Sequence, residues 1–441
     1  MDTQFDVAII GSGPAGIFAA RELETHSEGS IVIIDQYTYP SGGLLNDGKL
    51  NFNINIGIEF DQLGENLQVI ESLMQKVKEV FTSFPQSKMV TDFRDKAFLN
   101  TFVESCHNHD VEVILAEQWH YGTDNSKKVV KGLRSGLKRT SFMLGQRVDH
   151  IEAQRDGFVL HCVEGKSTTS VSSRILLIAP GRAGSMWLRN TAADMGIEHH
   201  FGPIDIGIRV ELSKDILEPV TRYIYDPKLR FITSRHGDRV RTFCTNPGGR
   251  VRSEKYDNFY LVNGDSLNRR KTSNTNFALL NTLELTEPLS DTTLFGTKLA
   301  EQFNLLGGGH PTMQRVGDFR EGRRSRHETF FSSSLHYSRC SPSYNATPGD
   351  LAMGFPGRII DNLWETMKTL DKIIPGILHP STILYSPEIK FFDNRYPTRR
   401  YLETGVDRCF LAGDGAGKSR GIVGAAISGI IAARGIIKKY I

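Results

Sequence analysis

The chain has 441 residues, too many for one compact core, so two to three domains are expected. Its 39% hydrophobic and 23% charged residues, with a mean hydropathy of −0.29, are ordinary for a soluble globular protein and argue against a disordered chain. The net charge of +3 is too small to argue for nucleic acid or an anionic lipid surface as partner.

From the N-terminus, Phe5 to Ile10 is a short apolar run suited to a buried strand. Gly11-Ser12-Gly13-Pro14-Ala15-Gly16 follows, and Pro14 fits the first turn of a helix that continues to Leu23. Ile31 to Ile34 is a second apolar run ending at Asp35 and Gln36, which completes a β-α-β unit of about 30 residues. Residues 37–60 read as a long loop and residues 61–83 as an amphipathic helix. A strand at 111–115 and a basic helix at 127–137 come next. Strand-like runs at 146–154, 157–163 and 168–178 are joined by hairpin signals, and the last leads into Ala179-Pro180-Gly181-Arg182.

Between about 205 and 385 alternating runs suggest a mainly β region, interrupted by helices near 292–303 and 357–373. The chain then returns to a strand, Ser386–Phe392, and to Cys409-Phe410-Leu411-Ala412-Gly413-Asp414. Residues 421–441 are apolar but interrupted by Arg434, Lys438 and Lys439. A helix buried against a sheet is therefore expected, not a membrane span. The expected fold class is α/β. A discontinuous Rossmann-type domain occupies residues 1–204 and 386–441, and an α+β, β-rich domain is inserted at 205–385.

The Gly11-x-Gly13-x-x-Gly16 spacing carries dinucleotide chemistry. Gly11 permits the tight turn, Gly13 lets backbone approach a pyrophosphate, and Gly16 lets helix and strand pack closely. The helix N-terminus supplies N–H groups and a partial positive charge. Asp35 would hydrogen-bond a ribose, and an acid there disfavours a 2′-phosphate. FAD and NAD both remain open on these residues. No second strand-GxGxxG-helix unit is evident, so no dedicated NAD(P)H domain is expected.

Thr404-x-x-x-x-Cys409-Phe410-Leu411-Ala412-Gly413-Asp414 resembles the second signature of the glutathione-reductase-type FAD superfamily. That resemblance implies FAD as cofactor and a ribityl contact for Asp414. It also implies that Gly421, Ile422, Val423 and Gly424 direct helix N–H groups at the flavin O2 and N1 edge. Val148, Ala179 and Gly181 are assigned to the cofactor with them.

A closer resemblance is to a largely uncharacterised group of FAD-dependent dehydrogenases. It rests on Asn46-Asp47-Gly48-Lys49-Leu50-Asn51, Asp205-Ile206-Gly207-Ile208-Arg209-Val210-Glu211 and Thr242-Phe243-Cys244-Thr245-Asn246-Pro247-Gly248-Gly249. Val262-Asn263-Gly264, Asn274-Thr275-Asn276-Phe277-Ala278, Thr347-Pro348-Gly349-Asp350-Leu351 and Gly413-Asp414-Gly415-Ala416-Gly417 add to it. Asn46 departs from the serine the group usually carries. The resemblance implies an oxidoreductase but supplies no substrate.

Lys49 is the first catalytic candidate, because a cation near the flavin would steady its reduced form. The plain alternative is a solvated loop lysine. Glu388 and Lys390 alternate on one strand, so both could face a substrate and take the proton that accompanies hydride removal. The plain alternative is a cross-face ion pair. The arginines at 320, 323, 324 and 326 could hold an anionic group, or simply form a solvated run. His199-His200 and His107-x-His109 make no metal motif, and Cys244 and Cys340 could approach a flavin or simply be buried, inert thiols.

The expected function is hydride transfer between a small organic substrate and flavin N5, with reoxidation by oxygen, a quinone or a protein carrier. The alternatives are a flavin reduced by NAD(P)H that serves a reductase or monooxygenase, and a non-catalytic flavin-binding module. The five scattered cysteines and the absence of a basic leader suggest the cytoplasm.

Overall fold

The computed structural model describes residues 3–39, 42–45, 47–256, 258–267, 269, 271–286, 290–331, 339–391 and 394–441. The chain divides into two compact units: residues 1–88, 125–202 and 392–441 form one, and residues 89–124 and 203–391 form the other.

The first unit begins with β1 (Thr3–Ile10), α1 (Pro14–His26) and β2 (Ile31–Asp35). β1 and β2 run parallel, and β1 also pairs in parallel with the Ser167–Ile178 strand. That strand is long enough to serve two further partners. Its first half pairs antiparallel with Gly157–Glu164 and its last three residues pair in parallel with Cys409–Leu411. The edge beside β2 is the Thr140–Leu144 strand, which was not expected from sequence. It is a half-buried run with no clear alternation, so periodicity does not reveal it.

The C-terminal helix, Ile422–Tyr440, packs along α1. A Cβ on Gly429 would lie 2.1 Å from the Ala15 carbonyl oxygen, so the two helices touch backbone to backbone. Glu22, 2% exposed, fixes the pair: Arg434 Nε donates to it at 2.9 Å and Lys76 Nζ donates from the Leu67–Thr82 helix. Among the described residues no helix is long and apolar enough to cross a membrane.

Residues 37–60 are not the continuous loop expected. They contain a turn at Gly42–Leu45 and the Lys49–Phe52 strand, followed by a short helix at Phe60–Leu63. The helix expected over 61–83 is thereby split. Gly64, with φ of 64°, ends the first piece, and Asn66 Oδ1 caps the second by accepting from Val69 N at 3.0 Å.

The second unit is built on an antiparallel sheet. Among the described residues its order is Thr347–Pro348 (which pairs in parallel), Thr312–Arg315, Ile383–Lys390, Ile204–Ser213, Asn274–Leu283, Arg239–Pro247, Lys228–Ile232 and Glu112–Ile114. Residues 89–124 belong here, which the expected boundaries did not include, and the strand carrying Glu388 lies wholly within this unit.

The two faces of this sheet differ. Ile206, Ile208, Val210 and Leu212 join Phe277, Leu279, Leu384 and Ile389 in one apolar core with the helices Lys96–His107, Thr292–Leu306 and Gly357–Ile373. The alternate positions Asp205, Gly207, Arg209 and Glu211 take the other face, as the period of two requires. That face is polar and still buried: Arg209 and Glu211 are both 0% exposed.

Candidate functional sites in the two units

In the first unit the glycine motif is built as a strand-to-helix turn. Gly11 has φ of 102°, its N–H donates to Ile34 O at 2.8 Å, and a Cβ there would lie 2.1 Å from Ala179 O. A Cβ on Gly16 would lie 2.0 Å from Gly11 O. Both glycines are therefore demanded by the protein's own packing. Gly13 is not: the nearest atom to its Cβ position is Gly42 Cα at 3.7 Å. A bare backbone at Gly13 suits close approach by a ligand.

Asp35 stands at the end of β2 and reaches this turn. Its Oδ2 accepts from both the backbone N–H and the hydroxyl of Ser12, and its Oδ1 accepts from Tyr37 N at 2.9 Å. Pro14 and Ala15 are buried in the first helical turn, and Gln36 is exposed. Val148 is buried in the sheet core, registered against Cys162. Ala179 N donates to Ile10 O at 2.8 Å, which brings the Gly181 turn beside the glycine motif.

The C-terminal segment closes on the same place. A Cβ on Gly415 would lie 2.1 Å from Gly181 O, and one on Gly413 would lie 3.3 Å from Ala15 Cβ. Gly413 N donates to Ser428 Oγ at 2.9 Å. The Asp414 carboxylate accepts from Gly421 N with both oxygens (3.0 and 2.9 Å) and from Ser419 Oγ at 2.8 Å. Burial raises its pKa, and Arg182 and the Gly421 N–H pull the other way. Ile422 and Val423 start the last helix, and Gly424 packs against Gly57 O. Gly181 and Gly421 both have positive φ, and a Cβ on either would meet no protein atom within 4 Å. With Gly13 they leave bare backbone where the two motifs meet, a feature that fits a dinucleotide.

Lys49 is not a solvated loop lysine. It starts a strand, its side chain is 5% exposed, and its Nζ lies 3.1 Å from Asp47 Oδ2. Gly48, with φ of 72°, makes the tight turn between them. Asn46 lies outside the described residues.

In the second unit Glu388 and Lys390 do come together, with Lys390 Nζ 2.9 Å from Glu388 Oε1. Sequence reasoning missed their third member. Arg209 donates to Glu388 from Nε and Nη2, each at 2.7 Å, and all three side chains are at most 3% exposed. Burial pushes the Glu388 carboxyl up, but the charges of Arg209 and Lys390 outweigh it and hold it below its ordinary value. Glu388 is thus a clamped carboxylate, a poor proton acceptor near neutral pH.

The cluster continues through amides. Arg209 Nη1 donates to Asn276 Oδ1 at 2.8 Å and to Cys244 O at 3.2 Å, and Asn246 Nδ2 donates to Asn276 Oδ1 at 3.0 Å. Cys244 has φ of 51° at a break in strand register between Phe243 and Asn246. On the near side Phe243 is half-buried, with Lys390 Nζ 5.7 Å, Lys228 Nζ 5.5 Å and Arg241 4.8 Å from its ring centre.

Arg323 pairs with Glu321 at 2.6 Å, as a solvated run would, while Arg320, Arg324 and Arg326 are exposed. Cys244 and Cys340 are buried free thiols, and burial raises the Cys340 pKa. Among the described residues no group of three or more His, Cys, Asp or Glu could hold a metal ion.

Residues 203–390 match the family model described as FAD-dependent protein, C-terminal domain-like. This match supports FAD as the cofactor. An uncharacterised protein of Clostridium beijerinckii is 26% identical, covering 98% of this chain and 80% of that protein. Among solved structures, glycine oxidase from Geobacillus kaustophilus is 13% identical, covering 99% of this chain and 95% of that one, with a TM-score of 0.42. The p-nitrophenol 4-monooxygenase of Pseudomonas putida is 10% identical, covering 99% and 79%, with a TM-score of 0.39. L-proline dehydrogenase of P. horikoshii is 19% identical over 41% of this chain, with a TM-score of 0.22. The chain spans 23% of the length of that dehydrogenase.

Proposed function

We propose that this protein is an FAD-dependent oxidoreductase that transfers a hydride between a small organic substrate and flavin N5. The observation that carries the reading is the meeting of the two glycine motifs in one unit, with Asp35 bonded to Ser12 and the Gly415 turn against Gly181. When bound, FAD supplies the hydride acceptor and the electrons' route out to oxygen, a quinone or a protein carrier. The cofactor-binding domain is of Rossmann type, and the residues holding the dinucleotide are those assigned from sequence. Gly11 and Gly16 shape the turn, Gly13 and the first turn of α1 meet the pyrophosphate, and Asp35 meets the ribose. Asp414 and the Gly421–Gly424 helix start take the other end.

Lys49, a buried cation held by Asp47, is the catalytic candidate of this unit. In the second unit we assign Glu388 a positioning role. It holds Arg209 and Lys390 on the polar face of the sheet, and Lys390 is the member beside the half-buried Phe243 ring. We place the substrate on that face and the protein in the cytoplasm.

Anaerobic reduction tests the direction of transfer. The purified protein with FAD is expected to keep its visible flavin absorbance when NADH or NADPH is added without substrate. Rapid bleaching by either nucleotide would replace the proposal with an NAD(P)H-driven reductase or monooxygenase.

A further inference from the structure

The last glycine loop carries a cation that the cofactor motifs do not account for. Lys418 is 1% exposed, and its ammonium donates to Tyr396 O at 2.7 Å and to Thr398 Oγ1 at 2.9 Å. Both acceptors are neutral, and among the described residues no carboxylate oxygen lies within 4 Å of Nζ. The backbone puts the lysine there by force of contact. Gly417 has φ of 65°, and a Cβ on it would lie 1.8 Å from Asn394 O, so the loop lies directly on the segment that supplies both acceptors.

Burying an ammonium among neutral oxygens is expensive, and a methionine or leucine would fill the same space at lower cost. The surroundings add to the expense. Arg395 disfavours the charged form of Lys418, and Arg182 and Arg420 act on Asp414 in the same loop. Glu59 offsets part of this charge, 2.6 Å from Arg420 and 3.6 Å from Arg395. Burial, with Arg395 second, lowers the Lys418 pKa to about 8. The loop is therefore a cationic place whose own carboxylates do not reach Lys418, and it begins with the Gly413-Asp414 pair that lies against Ala15 and α1.

We propose that Lys418 is an electrostatic positioning residue for the bound cofactor: it clasps the Asp414 loop to the Tyr396–Thr398 segment and supplies positive charge that the cofactor's negative charge balances. The proposal rests on the FAD reading of this unit. Once the anionic cofactor is present, the cost of the buried ammonium is offset, and the same charge favours the extra negative charge gained on reduction.

The test compares the full-length protein with Lys418→Met, which keeps the bulk and removes the charge. FAD affinity is read by quenching of flavin fluorescence, and the midpoint potential of the bound flavin by spectroelectrochemistry. Lys418→Met is expected to bind FAD about tenfold more weakly. Its bound flavin is expected to have a more negative midpoint potential, and its cofactor-free form to melt no lower than wild type. A structural role alone would lower the melting temperature and leave the potential unchanged, which would overturn the proposal, as would wild-type affinity and potential. Thr398→Val removes one acceptor and leaves the charge. It is expected to weaken FAD binding several-fold with an unchanged potential, and unchanged affinity would overturn the clasp even if Lys418→Met does not fold. Failure of the wild-type protein to bind FAD would instead remove the flavin reading itself.

Discussion

Arg209 and Glu388 face each other across adjacent strands through two hydrogen bonds of 2.7 Å, with neither side chain reaching solvent. The residue registered opposite Glu388 is Gly207, so no side chain stands between the carboxylate and the guanidinium two positions on. A pair so enclosed is weak evidence for stability as a whole, but each member depends on the other.

Glu388→Gln removes the whole negative charge that Arg209 and Lys390 share and leaves both cations buried. It is expected to destabilise the second unit by about 3–5 kcal/mol, read as a drop in the urea midpoint. The pH dependence has a definite sign. The Glu388 pKa is lowered from its ordinary 4.5, so its contribution is fully present above that value and is lost as pH falls through the lower folded value. Acid unfolding of Glu388→Gln should lack that component.

The contact between the chain's two end helices gives a second test. Gly429→Ala would place a methyl 2.1 Å from the Ala15 carbonyl oxygen and force α1 away from the last helix. A loss of about 1–3 kcal/mol is expected in thermal melts. Gly405→Ala serves as the comparison, because a Cβ there meets nothing within 4 Å, and its effect should stay within about 0.5 kcal/mol. Equal effects from the two substitutions would contradict the backbone contact.

Lys418 predicts a rise of stability with pH in the cofactor-free protein. Its pKa is about 8 in the folded chain against an ordinary 10.5. Below pH 8 the buried charge costs in full. Between pH 8 and 10.5 the unfolded chain binds the proton and the folded chain does not, so unfolding becomes harder as pH rises. Relative to Lys418→Met, wild type should gain roughly 3 kcal/mol across that window. A flat difference between the two proteins would show that the lysine is not held in this environment.

Several scattered segments of the second unit prove to be one construction. Arg209, Cys244, Asn246, Gly264 and Asn276 come from four separate stretches. A Cβ on Gly264 would lie 2.2 Å from Asn246 Nδ2, 2.4 Å from Arg209 Nη1 and 2.6 Å from Asn276 Oδ1. The hairpin of Arg250–Lys255 and Tyr260–Asp265 thus closes directly over the cluster. The segments were visible in the sequence, but their common purpose was not. Glu388 and Lys390 were expected to face one side, and they do. The partner that decides their chemistry stands 179 positions from Glu388 and has no periodic signal of its own.

The sequence by itself determined the local units. The β1-α1-β2 turn, the helix at 357–373, the three-stranded run from 147 to 178 and the buried last helix all follow from periodicity and from glycines with a backbone reason. These are short-range properties, set by neighbours within a few residues. Only the tertiary structure decided which charges are free. It made Lys49 a buried partner of Asp47, turned Glu388 into a clamped carboxylate, and buried the Lys418 ammonium among neutral oxygens. The physical reason is that ion pairing and burial depend on distances across strands and loops far apart in the chain. The glycine motifs at the two ends are each readable alone. Their meeting depends on Gly429 letting the last helix touch Ala15.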